Sequence, residues 1–366
     1  MSRYILVFAW LALMAAVAKK AHVTKTELVN GEKTIRYRWL FAIIAFFPII
    51  LMATFRPWNF TDTMAYRLTF QRMPESFSQL TSYLGSVKKD VGFYFTASVL
   101  KIIVTHDPRV YFFILAAFQG LAVVYLYRNY SSSFFLSLFL FVGSADYVLW
   151  MFNGVRQFMA VTIALYATPF ILKKRYIPAA AIILLASTFH RSALLMLPMI
   201  FIVQGDVWNK KTLLFILAII AAILFLDQFT SFLDDSLAET QYANVISDTE
   251  TFGYKGTSFL RVAVYSVPAV LSFFFRKRIN EEGTAIIKVS ANMSVISAGL
   301  YIFSMFTSGI FMGRLPIYCS LYGYILLPWI IGNCFKKKDK FLICSVMVLL
   351  YLAYYYTEVS LHYGLF

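Results

Sequence analysis

The chain has 366 residues, of which 60% are hydrophobic and 14% charged, with a formal net charge of +15. Its mean hydropathy of +0.70 and low charge exclude an ordinary soluble domain, in which roughly a quarter of residues are charged. Apolar runs of about twenty residues recur along the chain, which is typical of a polytopic α-helical membrane protein. Lys and Arg stand in short clusters between these runs, so the positive charge indicates membrane orientation rather than nucleic-acid binding.

The apolar runs predict an all-α fold of about twelve transmembrane helices, forming one membrane domain over residues 1–366. The first two spans are predicted at about 4–18 and 39–55, and no cleavable signal peptide is predicted. Keeping the basic clusters in the cytoplasm places both termini outside. The other predicted spans lie at about 110–127, 134–151, 155–172, 176–189, 192–205, 212–226, 257–275, 288–312, 315–335 and 341–357.

One apolar run, at about 91–105, is too short for a crossing and contains Lys101. It is predicted to be a re-entrant or interfacial half-helix on the outer face, which also keeps the basic clusters inside. Two long loops are predicted on that face, at about 56–109 and 227–256, whereas the inner loops are short. Binding or chemistry is therefore expected on the outer face.

The segment MFNGVRQFMA precedes a predicted span on this outer face. Asn153, Arg156 and Gln157 are spaced i, i+3 and i+4, which predicts that they share one face of a helix. Free N–H groups at a helix N-terminus favour an anion, and a guanidinium can hold phosphate through two parallel hydrogen bonds. The alternative is an arginine that extends to lipid phosphates at the interface.

Three other arginines are predicted near the outer leaflet in or beside apolar sequence, namely Arg56, Arg261 and Arg314. Charged residues inside a membrane are costly and usually face the bundle interior. Together with Arg156, these residues predict a site for a pyrophosphate or an acidic sugar. The alternative is a set of structural ion pairs with Asp and Glu of the outer loops.

Two residues are rival candidates for a general base. Asp62 shares a predicted helix face with Tyr66 and could bind sugar hydroxyls or accept a proton, or could simply cap that helix. His190 stands between two apolar helices, where it could accept a proton or serve as a hydrogen-bonded structural residue. No cofactor or metal site is predicted, because the sequence has no glycine-rich phosphate loop and no second ligand at metal spacing beside His190.

Four segments in order, RPWNFTDTMAY, NGVRQFMA, LASTFHRSALL and GRLPIY, resemble the EpsG-like family of exopolysaccharide proteins, which is grouped with Wzy-type polymerases. The resemblance covers about residues 40 to 330, and its most specific part is Asn-x-x-Arg-Gln. The chain departs from the usual family pattern in lacking a glycine before Asp-Thr-x-x-Tyr.

The resemblance implies a multi-pass protein of the bacterial inner membrane with its active site facing the exterior. Such a protein joins polyprenyl-diphosphate-linked oligosaccharide repeats into capsule, O-antigen or exopolysaccharide chains, without nucleotide or metal. It implies diphosphate binding by Arg156 and Arg314 first, then by Arg56 and Arg261. The partners expected for such a protein are a flippase and a chain-length regulator. Two alternative functions stay open for the chain itself: it could be a flippase or exporter of the same lipid-linked sugars, or a glycan ligase.

Overall fold

The computed structural model describes residues 3–29, 32–226, 256–307, 309 and 312–364. The chain forms two compact units. The first contains Met1–Thr168, Ala181–Ala193 and Lys336–Phe366, and the second contains Pro169–Ala180 and Leu194–Phe335. The prediction of a single membrane domain stays a prediction. The predicted outer loop at 227–256, with its acidic residues, lies outside the described residues except for Gly256.

The described fold is nearly all-α. The elements up to the middle of the chain are α1 (Arg3–Lys20), β1 (Thr24–Val29), β2 (Glu32–Tyr37), α2 (Trp39–Thr54), α3 (Thr63–Arg72), α4 (Phe77–Ser86), α5 (Val91–Ile103), α6 (Pro108–Tyr130), α7 (Phe134–Gly143), α8 (Val155–Leu165), α9 (Thr168–Leu172) and α10 (Tyr176–Phe189). The later helices are α11 (Met196–Ile202), α12 (Lys210–Leu224), α13 (Phe259–Phe274), α14 (Arg276–Glu282), α15 (Ala285–Met305), α16 (Ile317–Ser320), α17 (Gly323–Cys334) and α18 (Lys340–Tyr356).

The predicted count of twelve spans is not confirmed. By length and composition, three described helices can cross a membrane, at Pro108–Tyr130, Ala285–Met305 and Lys340–Ser360. Three bent helix pairs raise the number to six if each pair is one span. Several other predicted spans correspond to apolar helices of 10–17 residues, which are shorter than the roughly 20 residues that a crossing needs. The segment predicted as a half-helix forms α5, an apolar helix of 13 residues, and its place on the outer face stays a prediction.

A sharp bend interrupts the predicted span at 134–151. Helix α7 and the π-helical segment Tyr147–Asn153 meet at 71°. Ala145 between them has φ of 60°, a left-handed conformation that is uncommon for a residue other than glycine, and it follows the pair Gly143-Ser144 that ends α7. The carboxylate of buried Asp146 accepts hydrogen bonds from Ser144 Oγ and Trp150 Nε1, both at 3.1 Å. These bonds satisfy both oxygens of a carboxylate that is buried at the bend.

In the first unit, α2 packs along α6. Gly120 permits this close approach, because a Cβ there would lie 2.9 Å from atoms of Phe46 and Ile50. Both partner side chains are almost completely buried. In the second unit, α15 is the central helix and packs against α12, α13 and α17. Its Asn292 side chain donates to Val203 O at 3.0 Å, which ties the helix to the end of α11.

The expectation of a purely α-helical fold is wrong between residues 24 and 37. Strands β1 and β2 pair antiparallel, with Thr24 opposite Tyr37 and Val29 opposite Glu32. An isolated two-stranded hairpin is only marginally stable, and this one is fastened to the end of α6. Arg128 donates from Nε to Tyr37 O and from Nη2 to Glu27 Oε1, both at 2.6 Å.

This ion pair gives the hairpin a defined acid sensitivity. The hydrogen bond from Arg128, with further help from Lys25, lowers the pKa of Glu27 from 4.5 to about 2. The stabilisation is therefore complete above the unfolded-state value and is lost as the pH falls from about 4.5 through 2. Glu27→Gln is expected to lower the free energy of unfolding by about 2 kcal/mol at pH 7, because it weakens charged hydrogen bonds to buried Arg128.

The measurement is the thermal unfolding midpoint of purified protein in detergent between pH 7 and pH 3. The difference from the native sequence should shrink as the pH falls through the carboxylate range. Glu281→Gln, at an exposed glutamate of α14, serves as the control and should give no such trend. A Glu27→Gln difference that is constant over the whole pH range would contradict the assignment.

Candidate active site

The loop after α2 is fixed by a stack of cations on Trp58. The guanidinium carbon of Arg109 lies 3.5 Å from the centroid of the Trp58 ring, and that of Arg67 lies 4.5 Å away. Arg109 Nη1 also donates to the carbonyls of Thr54 and Arg56, both at 2.9 Å. These contacts join the end of α2, the start of α6 and helix α3. They therefore set the position from which α3 begins.

Arg56 is a buried support of this loop and is only 1% exposed. Its Nε donates to Thr63 Oγ1 at 3.0 Å, its Nη1 donates to Ala53 O, and its guanidinium lies over the Phe112 ring. Burial lowers the pKa of Arg56 to about 10, so the side chain remains cationic at neutral pH. Its bonds thus join the first turn of α3 to the last turn of α2.

A cavity of about 260 Å³ lies between α3, α5, α6 and the first turn of α8. Its polar lining includes Asp62, Thr69 and Arg156. The remaining lining residues are Ala65, Tyr66, Met73, Phe93, Tyr94 and Tyr111. The structure therefore brings together three residues that the sequence singled out, Asp62, Tyr66 and Arg156, although they stand up to 94 positions apart in the numbered chain.

Arg156 is held at the rim of this cavity by a carboxylate that the sequence analysis missed. Its Nη1 lies 2.8 Å from Oδ2 of Asp90, whose side chain is 0% exposed, whereas the Arg156 side chain is 34% exposed. The Arg156 guanidinium also interacts electrostatically with the nearby hydroxyl of Tyr66. Burial raises the pKa of the Asp90 carboxyl, and the charges of Arg156 and Lys89 act against that rise. Asp90 thus anchors the guanidinium of Arg156, which also lines the cavity.

The backbone around Asp90 explains how its carboxylate reaches Arg156. Asp90 has φ of 55° at the N-terminal boundary of α5, a left-handed conformation that Asp and Asn tolerate better than most residues. Gly92 lies against the end of α10, where a Cβ would be 2.2 Å from Thr188 Oγ1. This close approach brings the backbone N–H of Arg191 near the Asp90 carboxylate.

The prediction that Asn153, Arg156 and Gln157 share one helix face is wrong for Asn153. Asn153 ends the π-helical segment, and Gly154 has ψ of 43°, so α8 begins only at Val155. Arg156 and Gln157 lie in the first turn of α8, but Gln157 is buried and Asn153 is half-buried. Neither lines the cavity. Gly154 has no side chain, so no side-chain cap closes the first turn of α8, where Arg156 lies.

Asp62 stands at the N-terminal boundary of α3 without a capping side-chain hydrogen bond. The structure therefore does not show the alternative in which Asp62 caps the helix. Asp62 is also not hydrogen-bonded to Arg56, whose donors go to Ala53 and Thr63. The exposed Asp62 lines the cavity together with Tyr66, one turn later on the same helix face. Burial raises the pKa of the Tyr66 hydroxyl, which is thus a neutral hydrogen-bonding group.

His190 lies at the corner after α10, half-buried, with Nδ1 2.6 Å from Ser192 Oγ. It does not line the cavity, but it precedes Arg191, whose backbone N–H lies near the Asp90 carboxylate. The position is thus adjacent to the anchor of Arg156. Among the described residues, no group of three or more His, Cys, Asp or Glu side chains is arranged to hold a metal ion.

Lys101 fastens the other end of α3. Its Nζ donates to the carbonyls of Gln71 and Met73, both at 2.7 Å, and lies 3.3 Å from Glu75 Oε1. The Lys101 side chain is only 3% exposed. An ammonium at a helix C-terminus satisfies carbonyls that have no partner within the helix. Lys101 of α5 therefore holds in place the helix that carries Asp62 and Tyr66.

Arg261 and Arg314 belong to the second unit. The Arg261 guanidinium lies 5.9 Å from the ring centroids of Tyr265 and Tyr301. The turn before Arg314 packs on Thr257, which is bonded to Ser304 near the end of α15. Both arginines thus lie at the same end of that helix. Two of the four predicted arginines therefore belong to each unit, and their predicted roles stay predictions.

The apolar helices are those of a membrane protein. In the first unit, charged side chains gather around a cavity at the ends of several helices, which is typical of a functional site. The chain belongs to the EpsG family, whose model matches residues 39–364, which confirms the resemblance seen in the sequence. This membership indicates exopolysaccharide biosynthesis and suggests a glycosyltransferase-like polymerase. No curated protein and no solved structure matched the chain.

Proposed function

We propose that this protein is a polysaccharide polymerase that transfers a polyprenyl-diphosphate-linked glycan onto the next lipid-linked repeat unit. The reaction takes place at the outer face of the bacterial inner membrane and uses neither nucleotide nor metal. The observation that carries the proposal is the anchored guanidinium of Arg156 at the rim of a cavity that also holds Asp62 and Tyr66.

The proposed chemistry is a substitution at the anomeric carbon of the donor chain. A hydroxyl oxygen of the incoming repeat attacks this carbon, and the bond from the carbon to the diphosphate oxygen breaks. Negative charge develops on the departing lipid diphosphate, where the Arg156 guanidinium stabilises it. The hydroxyl proton passes to a base. The leaving diphosphate supplies the energy for the transfer.

We assign the base to Asp62 rather than to His190. Asp62 lines the cavity, whereas His190 is hydrogen-bonded to Ser192 outside the lining. Asp62→Asn is expected to lower the polymerisation rate by about 10²–10⁴-fold, the usual contribution of a general base. His190→Gln should retain most activity, and His106→Gln, at an exposed histidine, is the matched control.

The assay is polymerisation by purified protein with a defined lipid-linked repeat, resolved by chain length. Full activity of Asp62→Asn together with loss in His190→Gln would reverse the assignment of the base. Growth of chains without nucleotide supports a polymerase. Movement of the lipid between leaflets without growth would instead make the protein a flippase, and transfer of a finished glycan to another acceptor would make it a ligase.

A further inference from the structure

Four aromatic side chains enclose one side of the cavity, Tyr66, Phe93, Tyr94 and Tyr111. Tyr111 is 1% exposed and its ring stacks on Phe70, with centroids 4.1 Å apart and planes 9° from parallel. Such a wall is rigid before any ligand arrives. Aromatic faces with hydroxyl groups at their rims combine an apolar surface with polar contacts, and this combination matches a pyranose ring, whose faces carry C–H groups and whose edge carries hydroxyls.

The size of the cavity limits what it can hold. Its volume of about 260 Å³ lies below the range of about 300–1,000 Å³ typical of pockets for drug-sized ligands. The cavity therefore suits a small ligand with a single ring.

The charges at the cavity favour a neutral sugar inside and an anion at the rim. Arg156 and Asp90 neutralise one another at 2.8 Å, so the cavity does not attract a second anion into its interior. A guanidinium has five N–H donors, and only Nη1 of Arg156 bonds Asp90, so the side chain that lines the cavity keeps further donors. Thr69 and Asp62 supply further partners for hydroxyl groups.

We propose that this cavity is a subsite for one monosaccharide, the sugar joined directly to the lipid diphosphate, and that it selects which sugar the protein can transfer. The sugar lies against the aromatic wall, its hydroxyls meet Asp62 and Thr69, and its diphosphate lies at Arg156. This inference rests on the proposed function. It adds that specificity resides in the first sugar and is set by the residues of α3 and α5.

The test measures binding of three soluble probes to the purified protein in detergent: farnesyl diphosphate, farnesyl diphosphate carrying one glucose, and the same lipid carrying a disaccharide. The first sugar is expected to raise affinity about tenfold, the scale of discrimination that a fitted pocket provides. The second sugar should add little, because it lies outside the cavity.

Thr69→Trp fills the cavity and should remove the gain from the first sugar, while affinity for farnesyl diphosphate changes much less. Tyr94→Leu, which removes one ring of the wall, should lose part of the gain, and Tyr94→Phe should keep it. Tyr83→Leu is the matched control, because Tyr83 packs on the same core outside the cavity lining, and it should leave all three affinities unchanged.

The subsite is overturned if Thr69→Trp and Tyr94→Leu, both with native melting temperatures, bind the glucosyl probe as the native protein does. It is also overturned if the second sugar adds as much affinity as the first. In both cases, binding of farnesyl diphosphate would leave the proposed function standing. If the native protein binds none of the three probes, the proposed function fails, and the subsite fails with it.

Discussion

Replacing Arg156 with lysine is expected to abolish long-chain polysaccharide while leaving the amount of protein in the membrane unchanged. Arg156 bonds buried Asp90 with one nitrogen and keeps donors for the cavity. A lysine ammonium is a single point charge without the planar fork, so it can occupy the position beside Asp90 but cannot also hold a diphosphate oxygen. The expected loss is about 10²–10³-fold in rate, the cost of removing one donor that stabilises a developing charge.

The measurement is polymer length in cells and polymerisation by purified protein, at matched expression. Arg72→Lys, at an exposed arginine that ends α3, is the control and should retain native chain length. Asp90→Asn should fall between the two, because it keeps an oxygen acceptor for Arg156 but loses the charge. Native chain length in Arg156→Lys would remove Arg156 from the site.

The second large effect is expected on stability, at Lys101. Lys101→Met removes two hydrogen bonds of 2.7 Å to the carbonyls that end α3 and leaves those carbonyls without their partner. Hydrogen bonds from charged groups contribute about 1.5–3 kcal/mol each. Methionine has a similar length and regains some stability by burying an apolar side chain. The free energy of unfolding should therefore fall by about 2–4 kcal/mol.

Thermal unfolding in detergent measures this loss, with Lys88→Met as the control at an exposed lysine just before α5. Activity should fall together with stability, because α3 carries Asp62 and Tyr66. A Lys101→Met protein with the unfolding midpoint of the native chain would show that α3 is held by its other contacts alone.

The long apolar elements could be predicted from the sequence because composition determines them. The span predicted at about 110–127 corresponds to α6, Pro108–Tyr130, which is long enough to cross a membrane, and the apolar run at about 257–275 corresponds to α13, Phe259–Phe274, one half of a bent pair. The bend at Ala145 is marked in the sequence only by the pair Gly143-Ser144 inside an apolar run, and the buried contacts that fix its angle are tertiary. Strong apolarity therefore predicts where helices lie but not where they bend.

The hairpin was within reach of the sequence. Asn30-Gly31 is a dipeptide typical of two-residue hairpin loops, and Val, Thr, Ile and Tyr are common on either side of it. The Lys and Arg residues of this segment also fit the pattern that indicates the cytoplasmic side of a membrane. The same residues therefore carry two patterns, and the basic one is the more conspicuous.

The site was only partly predictable. Arg156 stands out because a guanidinium beside an apolar helix is costly, and Asp62 stands out because it precedes a helix with Tyr66 on its face. Asp90 gives no such signal, since it is 66 positions from its partner and one among several charged residues of a loop. Asn153 was misplaced because a single glycine separates it from the helix that it was expected to join.

The left-handed backbone of Asp90 restricts what evolution can place there. Few residues adopt φ of 55° at low cost, and of those only aspartate also neutralises Arg156. Across relatives, positions 90 and 156 should therefore co-vary: sequences that have lost the arginine should accept glycine or asparagine at 90, and those that keep it should not.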